Sequence, residues 1–243
     1  IERGELLIYL QPQFSLKTGL LLGAEALVRW QHPQQGMVMP AMFISLAEES
    51  GLIVALGEWV QHAACAQWAA WDVAGLSPGV LSINVSGVEF RRGQIQGMVR
   101  NVLDVTHLSP ALLELEITEG AIMSQVENSV QVLHDLREMG INLAIDDFGT
   151  GYSSLAYLKR LPLDKLKVDQ SFVRGLPGDA EDCAIVHAVI ALGHSLQLKV
   201  IAEGVETEKQ RQFLVDAGCD EMQGYLRGRP MPVADFRREF LSN

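Results

Sequence analysis

Short β-branched and leucine-rich runs alternate with longer segments of helical periodicity along almost the whole chain. The short runs predict strands at Leu6–Phe14, Leu21–Trp30, Val80–Ser86, Leu112–Thr118, Ile141–Asp147, Leu163–Val168, Leu198–Glu203 and Cys219–Gln223. The longer segments predict helices at Ala41–Glu49, Ile53–Asp72, Gln94–Val105, Val126–Met139, Ser153–Leu161, Asp182–Leu196 and Glu208–Ala217, with caps at Ser124 and Thr207. Alternation of this kind implies an α/β fold in which a mostly parallel sheet closes into a (β/α)8 TIM-type barrel. Only Ser15–Leu20 separates the first two strands, too short for a parallel crossover, and Lys17-Thr18-Gly19 reads as a turn. The first strand is therefore expected to run antiparallel to the rest. A doubly wound open sheet is the alternative architecture, and neither GxGxxG nor GxxxxGK[ST] occurs to support it.

Strands covered by helices should be apolar on both faces. Here one face is interrupted near nearly every C-terminal end. In Ser82-Ile83-Asn84-Val85-Ser86, Ile83 and Val85 share one side while Asn84 takes the other. Glu116 does the same in Leu113–Ile117, and so do Lys167 and Asp169 in Leu166–Asp169. Asp146 and Asp147 end a further strand, Glu203 another, and Gln223 the last. Ionised carboxylates inside a barrel are costly unless something compensates them. Divalent Mg²⁺ or Mn²⁺ fits best, because these ions prefer carboxylate, amide oxygen and water, and barrel enzymes keep their sites at this rim. Lys167 reads either as a salt-bridge partner or as a group holding a reactive water, and among acids it should stay protonated.

Each piece alone has a plainer reading. Asp146–Gly151 is also the sequence of a turn with Asp caps, and Glu116 and Glu119 also suit surface acids around a helix start. Asn84 also suits a residue satisfying local backbone groups, Glu203–Glu206 a solvated turn, and Gln223-Gly224-Tyr225 a loop. Those readings leave unexplained why separate strands all end in metal-type ligands.

Composition narrows the class. The 243 residues are 48% hydrophobic, enough for the core of one barrel domain. A net charge of −11 argues against binding a nucleic acid polymer or an anionic membrane, though not against a small phosphorylated substrate once cations are loaded. Cys65, Cys183 and Cys219 are scattered and form no CxxC pair, which suits a reducing cytoplasmic compartment without zinc or disulfides. No apolar run approaches the length of a membrane span. The start at Ile1 suggests one domain, residues 1–243, excised from a longer multidomain protein. His32, His62, His107, His134, His187 and His194 form no HxH or HExxH pattern, and Trp59, Trp68 and Trp71 read as core packing on an Ala-rich helix.

At Glu25-Ala26-Leu27-Val28-Arg29-Trp30 the chain resembles the EAL family of cyclic di-GMP phosphodiesterases, and it does so over nearly its whole length. The remaining blocks follow in order: Gln11-Pro12 upstream, Asn84-Val85-Ser86, Glu116–Glu119, Asp146–Ser154, Lys167-Val168-Asp169, Glu203–Glu206, and Gln223-Gly224-Tyr225 with Pro230. The tripeptide alone would mean nothing, but the ordered set is specific. Two departures stand out. Leu10 replaces a common Tyr before Gln-Pro, and Arg227 replaces a common aromatic residue after Gln-Gly-Tyr.

The resemblance implies hydrolysis of cyclic di-GMP to linear pGpG by a two-metal mechanism using Mg²⁺ or Mn²⁺. It matches Glu25, Asn84, Glu116 and Asp146 to one metal, and Asp146, Asp147 and Glu203 to the second. Lys167 matches a lysine contacting the attacking water, and Glu203 a candidate general base. Gln11 and Arg29 match substrate contacts, while Asp169, Glu206 and Gln223 match residues that complete or shape the pocket. Glu119 matches the glutamate steadying the Asp146–Ser154 loop, which lies near the dimer contact in the family and is expected to couple dimerisation to metal occupancy. The implied partners are a second copy of the chain and upstream sensor or GGDEF domains. A catalytically silent cyclic di-GMP receptor and a barrel enzyme for another phosphodiester or sugar phosphate are the rival readings.

Overall fold

In the computed structural model, which describes residues 1–76, 78–149 and 155–241, the strand–helix alternation closes on itself. The strands are β1 (Leu6–Ser15), β2 (Leu21–His32), β3 (Gly36–Val38), β4 (Val80–Val85), β5 (Leu113–Thr118), β6 (Asn142–Phe148), β7 (Lys165–Val168), β8 (Lys199–Ala202), β9 (Glu221–Gln223) and β10 (Met231–Pro232). From β2 through β4, β5, β6, β7 and β8 to β9 each neighbouring pair is parallel. β1 closes the ring, pairing antiparallel with β2 on one side and with β9 on the other. The eight-stranded barrel with a reversed first strand is therefore as expected. β3 and β10 extend β2 and β1 as short antiparallel additions.

Closure depends on a missing side chain. Gly23 lies opposite Gln13 of β1 and Val80 of β4, and a Cβ on it would stand 1.9 Å from the Val80 carbonyl oxygen. Only glycine lets these two backbones approach so closely.

The outward faces of the strands are apolar and fully covered. Leu81, Ile83, Leu113, Leu115, Ile117, Leu143, Ile145, Leu166, Val168 and Val200 are buried beneath the helix layer, each contributing roughly 1.5–3 kcal/mol in transfer terms. Helix Ile53–Val73 sends Trp68 and Trp71 inward, where Trp71 stacks on Phe236 of the terminal helix Val233–Phe240 at 5.9 Å. Trp68 donates its indole N–H to the Gly79 carbonyl oxygen, completing its burial.

Local chemistry sets several helix ends. Thr207 caps helix Glu208–Asp216 in a reciprocal box with Gln210, as expected. Ser124 differs: its hydroxyl donates back to the Ala121 carbonyl oxygen, ending helix Glu119–Met123, and Gln125 precedes helix Val126–Glu138. The helix expected at Ser153–Leu161 is seen as Leu155–Leu158, and residues 150–154 of the Asp146–Ser154 loop lie outside the described residues. Among the described residues no helix is long and apolar enough to cross a membrane.

Candidate active site

Period-two alternation turns one face of every strand into the barrel, and the C-terminal ends of those faces bring the polar residues together. Glu25 comes from the middle of β2, level with Gln11 of β1. Asn84 and Glu116 are partners in the β4–β5 register, and Asp146 lies opposite Thr118 on β6. Lys167 projects from β7, and Glu203 follows β8, held by its backbone N–H on the Val168 carbonyl oxygen.

Lys167 is the hub. Its Nζ stands 2.6 Å from Glu116 Oε2, 2.6 Å from Glu203 Oε1 and 3.1 Å from Asp146 Oδ1, with 1% of its side chain exposed. Burial opposes its charge, but Glu116, Glu203, Glu25 and Asp146 outweigh burial and hold the ammonium well above its ordinary range. The acids feel the opposite pressure. Burial pushes Glu116 well above the usual carboxylate range against the pull of Lys167, and pushes Glu203 up to about 8. Asp147 is lifted to about 6, first by burial and then by Asp146 and Asp169. The cluster carries more negative charge than one ammonium can match.

A second group of contacts orients Glu25. Asn84 Nδ2 donates to its Oε1 at 2.5 Å, and Gln223 Nε2 donates to its Oε2 at 2.5 Å and to Gln11 Oε1 at 3.0 Å. Arg29, further along β2, is buried, donates to the Val28 carbonyl oxygen at 2.8 Å and stacks over Tyr9. Burial lowers its pKa, with Tyr225, Tyr9 and Glu25 opposing.

The remaining residues frame this centre. Asp147 has φ +54°, a left-handed backbone that Asp tolerates better than most, and its N–H turns onto Asp146 Oδ1 at 3.0 Å. Asp169 caps helix Gln170–Arg174 through the Ser171 N–H and hydroxyl. Glu119 is buried and accepts from the Gly149 N–H at 3.2 Å, at the entrance to the loop it was expected to steady. Glu206 is exposed beyond β8, its backbone N–H on Gln210 Oε1. Arg227 lies over the Phe14 ring at 4.4 Å, a cation on an aromatic face close to the strand that carries Gln11.

These residues suit a divalent cation by donor chemistry: carboxylates and one amide, all oxygen donors, with Glu116 Oε1 buried and lacking a hydrogen-bond partner. Among the described residues no three acids, histidines or cysteines stand in a ready-made coordination group; Lys167 contacts Glu116 and Glu203, and Gln223 contacts Glu25.

Gln13, Ser82, Glu114, Lys165 and Glu221 did not stand out from the sequence. All five are buried. Each lies two positions from a residue of the rim on its own strand, which is the signal that could have found them.

The EAL domain family model matches residues 1–230. The chain is 47% identical over 233 residues to the bifunctional diguanylate cyclase/cyclic di-GMP phosphodiesterase MucR of Pseudomonas aeruginosa, covering 96% of this chain and 34% of MucR. It is 45% identical to the cyclic di-GMP phosphodiesterase NbdA of the same organism, covering 98% of this chain and 30% of NbdA. It therefore spans about a third of the length of these curated relatives. Among solved structures, the PaMucR phosphodiesterase in complex with c-di-GMP superposes with a TM-score of 0.94 at 46% identity, covering 97% of this chain and 95% of that one.

Proposed function

The chain belongs to the EAL domain family, and from that premise we propose that it hydrolyses cyclic di-GMP to linear pGpG with divalent-cation assistance. The observation carrying the proposal is the convergence of Glu25, Glu116, Asp146 and Glu203 around Lys167 at the C-terminal mouth of the barrel. A similar fold in complex with c-di-GMP supports the choice of substrate.

In this reading Glu25, Asn84, Glu116 and Asp146 would hold one cation, and Asp146, Asp147 and Glu203 a second, Mg²⁺ or Mn²⁺ in either case. Such cations, when bound, acidify water and neutralise phosphate charge. The protein's own groups do the rest. Arg29 binds a phosphate oxygen of the substrate, and Gln11, Gln223, Asp169 and Glu206 shape the pocket around it. Lys167, ringed by carboxylates, keeps its protons, so it orients the attacking water rather than deprotonating it. Glu203 beside it takes the water's proton as the oxygen attacks phosphorus. The bond from phosphorus to the 3′-oxygen breaks, and that oxygen leaves with a proton from solvent. Glu119 steadies the loop through Gly149.

The lengths of the relatives support a place for this domain in a longer protein, and the partners proposed for it there are sensor or GGDEF domains and a second copy of the chain, in the cytoplasm. A substrate panel tests the proposal: cyclic di-GMP should be cleaved, while cyclic mononucleotides and bis-p-nitrophenyl phosphate should not. Comparable turnover of all three would favour a general phosphodiesterase.

A further inference from the structure

Beneath the acids lies a second set of buried polar side chains that the proposed reaction leaves without a role. Gln13, Ser82, Glu114, Lys165 and Glu221 sit below Gln11, Asn84, Glu116, Lys167 and Gln223 on the same strands and the same inner face. Most of this layer closes among its own members. Lys165 Nζ stands 3.1 Å from Glu114 Oε1 and 2.9 Å from Glu221 Oε2, and Ser82 donates to Glu114 Oε1 at 2.8 Å. Gln13 alone reaches upward, donating its Nε2 to Gln223 Oε1 at 2.9 Å.

That bond reinforces the orientation the Glu25 carboxylate selects, and Ser82, whose hydroxyl also donates to Gln13 Oε1 at 3.5 Å, keeps the Gln13 N–H end turned toward Gln223. With its oxygen held by Gln13, Gln223 uses its two N–H groups on Glu25 Oε2 and Gln11 Oε1. Gln11 is anchored in turn, its own Nε2 on the Gly228 carbonyl oxygen at 3.3 Å. Rotating the Gln223 amide by half a turn would set its oxygen against the Glu25 carboxylate and its NH₂ against the NH₂ of Gln13. Gln13 is 1% exposed and Gln223 4%, so water cannot repair either clash.

We propose that Gln13 is a positioning residue for Glu25, acting through the orientation of the Gln223 amide. The inference rests on reading Glu25 as a cation ligand. Partners of this kind, one bond removed from a ligand, hold its rotamer and direct its lone pairs.

Two substitutions of similar size separate orientation from space-filling. Gln13→Met removes the donor. Gln13→Glu offers only acceptors, so it draws the Gln223 NH₂ downward and turns the Gln223 oxygen onto Glu25. Ser82→Ala disturbs the same layer at Glu114 and removes only the longer contact to Gln13 Oε1, so it keeps the Gln13 donor while loosening its hold. In metal-free protein, the side-chain amide resonances of Gln223, assigned through Gln223→Met, should move in Gln13→Met and further in Gln13→Glu, and less in Ser82→Ala than in either. Titration with Mn²⁺ followed by electron paramagnetic resonance should show affinity reduced about tenfold in Gln13→Met and more in Gln13→Glu. The kcat for cyclic di-GMP should fall with KM little changed. Unmoved amide resonances in both Gln13 variants overturn the proposal, and so does Mn²⁺ affinity within about twofold of the unsubstituted protein. If the unsubstituted protein binds no Mn²⁺, the hydrolase reading falls instead, and the amide resonances alone decide whether Gln13 orients Gln223.

Discussion

Lys167 Nζ and Glu203 Oε1 lie 2.6 Å apart at the mouth of the barrel, joining β7 to the residue that follows β8. The pair sits inside a crowd of acids. A buried ion pair of this kind contributes little when complete, but removing one partner strands the other. Lys167→Met should therefore lower stability by about 3–5 kcal/mol, which for a chain of this size is a fall in melting temperature of roughly 6–20 °C. Turnover should drop by at least ~100-fold. Calorimetry and a product assay check the two parts separately, and an unchanged melting temperature would mean the acids do not depend on this ammonium.

Glu25 separates an enzyme from a receptor. It takes hydrogen bonds from Asn84 and Gln223, and its loss leaves two donors unmatched while relieving repulsion within the acid cluster. Glu25→Ala should keep its melting temperature within a few degrees, because these effects oppose each other, and should lose about 100-fold or more in turnover. Retained binding of cyclic di-GMP, measured by calorimetric titration, would show that the substitution struck chemistry rather than the pocket.

Gly23 tests how the barrel closes. A methyl group there meets the Val80 carbonyl oxygen, part of a paired backbone that cannot rotate away. Gly23→Ala should destabilise the fold by about 3 kcal/mol or more, readable as a shifted urea midpoint. A neutral substitution would mean that β2 and β4 have slack at this level.

The cysteines should differ in reactivity. Burial pushes the thiols of Cys65 and Cys219 up to about 12, far from the thiolate form at neutral pH, whereas Cys183 is only partly buried. In native protein a thiol reagent should modify Cys183 first, and Cys65 and Cys219 only on unfolding. Mass spectrometry of the labelled peptides gives the order.

The barrel was legible because its strands are short apolar runs set between long helical segments, and because Lys17-Thr18-Gly19 leaves room only for a hairpin. The rim acids were legible for a related reason: a charged residue at the end of an otherwise apolar strand conflicts with its surroundings. The layer below was harder to see. Gln13 and Gln223 lie 210 positions apart, and their bond follows from β1 closing against β9, a pairing that local periodicity does not contain. β3 and β10 are too short to carry a period of their own. Helix Gly87–Arg91 is equally short, although Ser86 and Glu89 form the capping box that announces it. The exposed position of Glu206 had no signature either, since a loop acid looks the same whether it faces a pocket or solvent.

The most direct test of the account follows the product of cyclic di-GMP incubated with the purified protein, with and without a chelator. Linear pGpG should accumulate in Mg²⁺ or Mn²⁺ and cease to form when the chelator is added. Binding of the intact dinucleotide without cleavage in either ion would contradict the account.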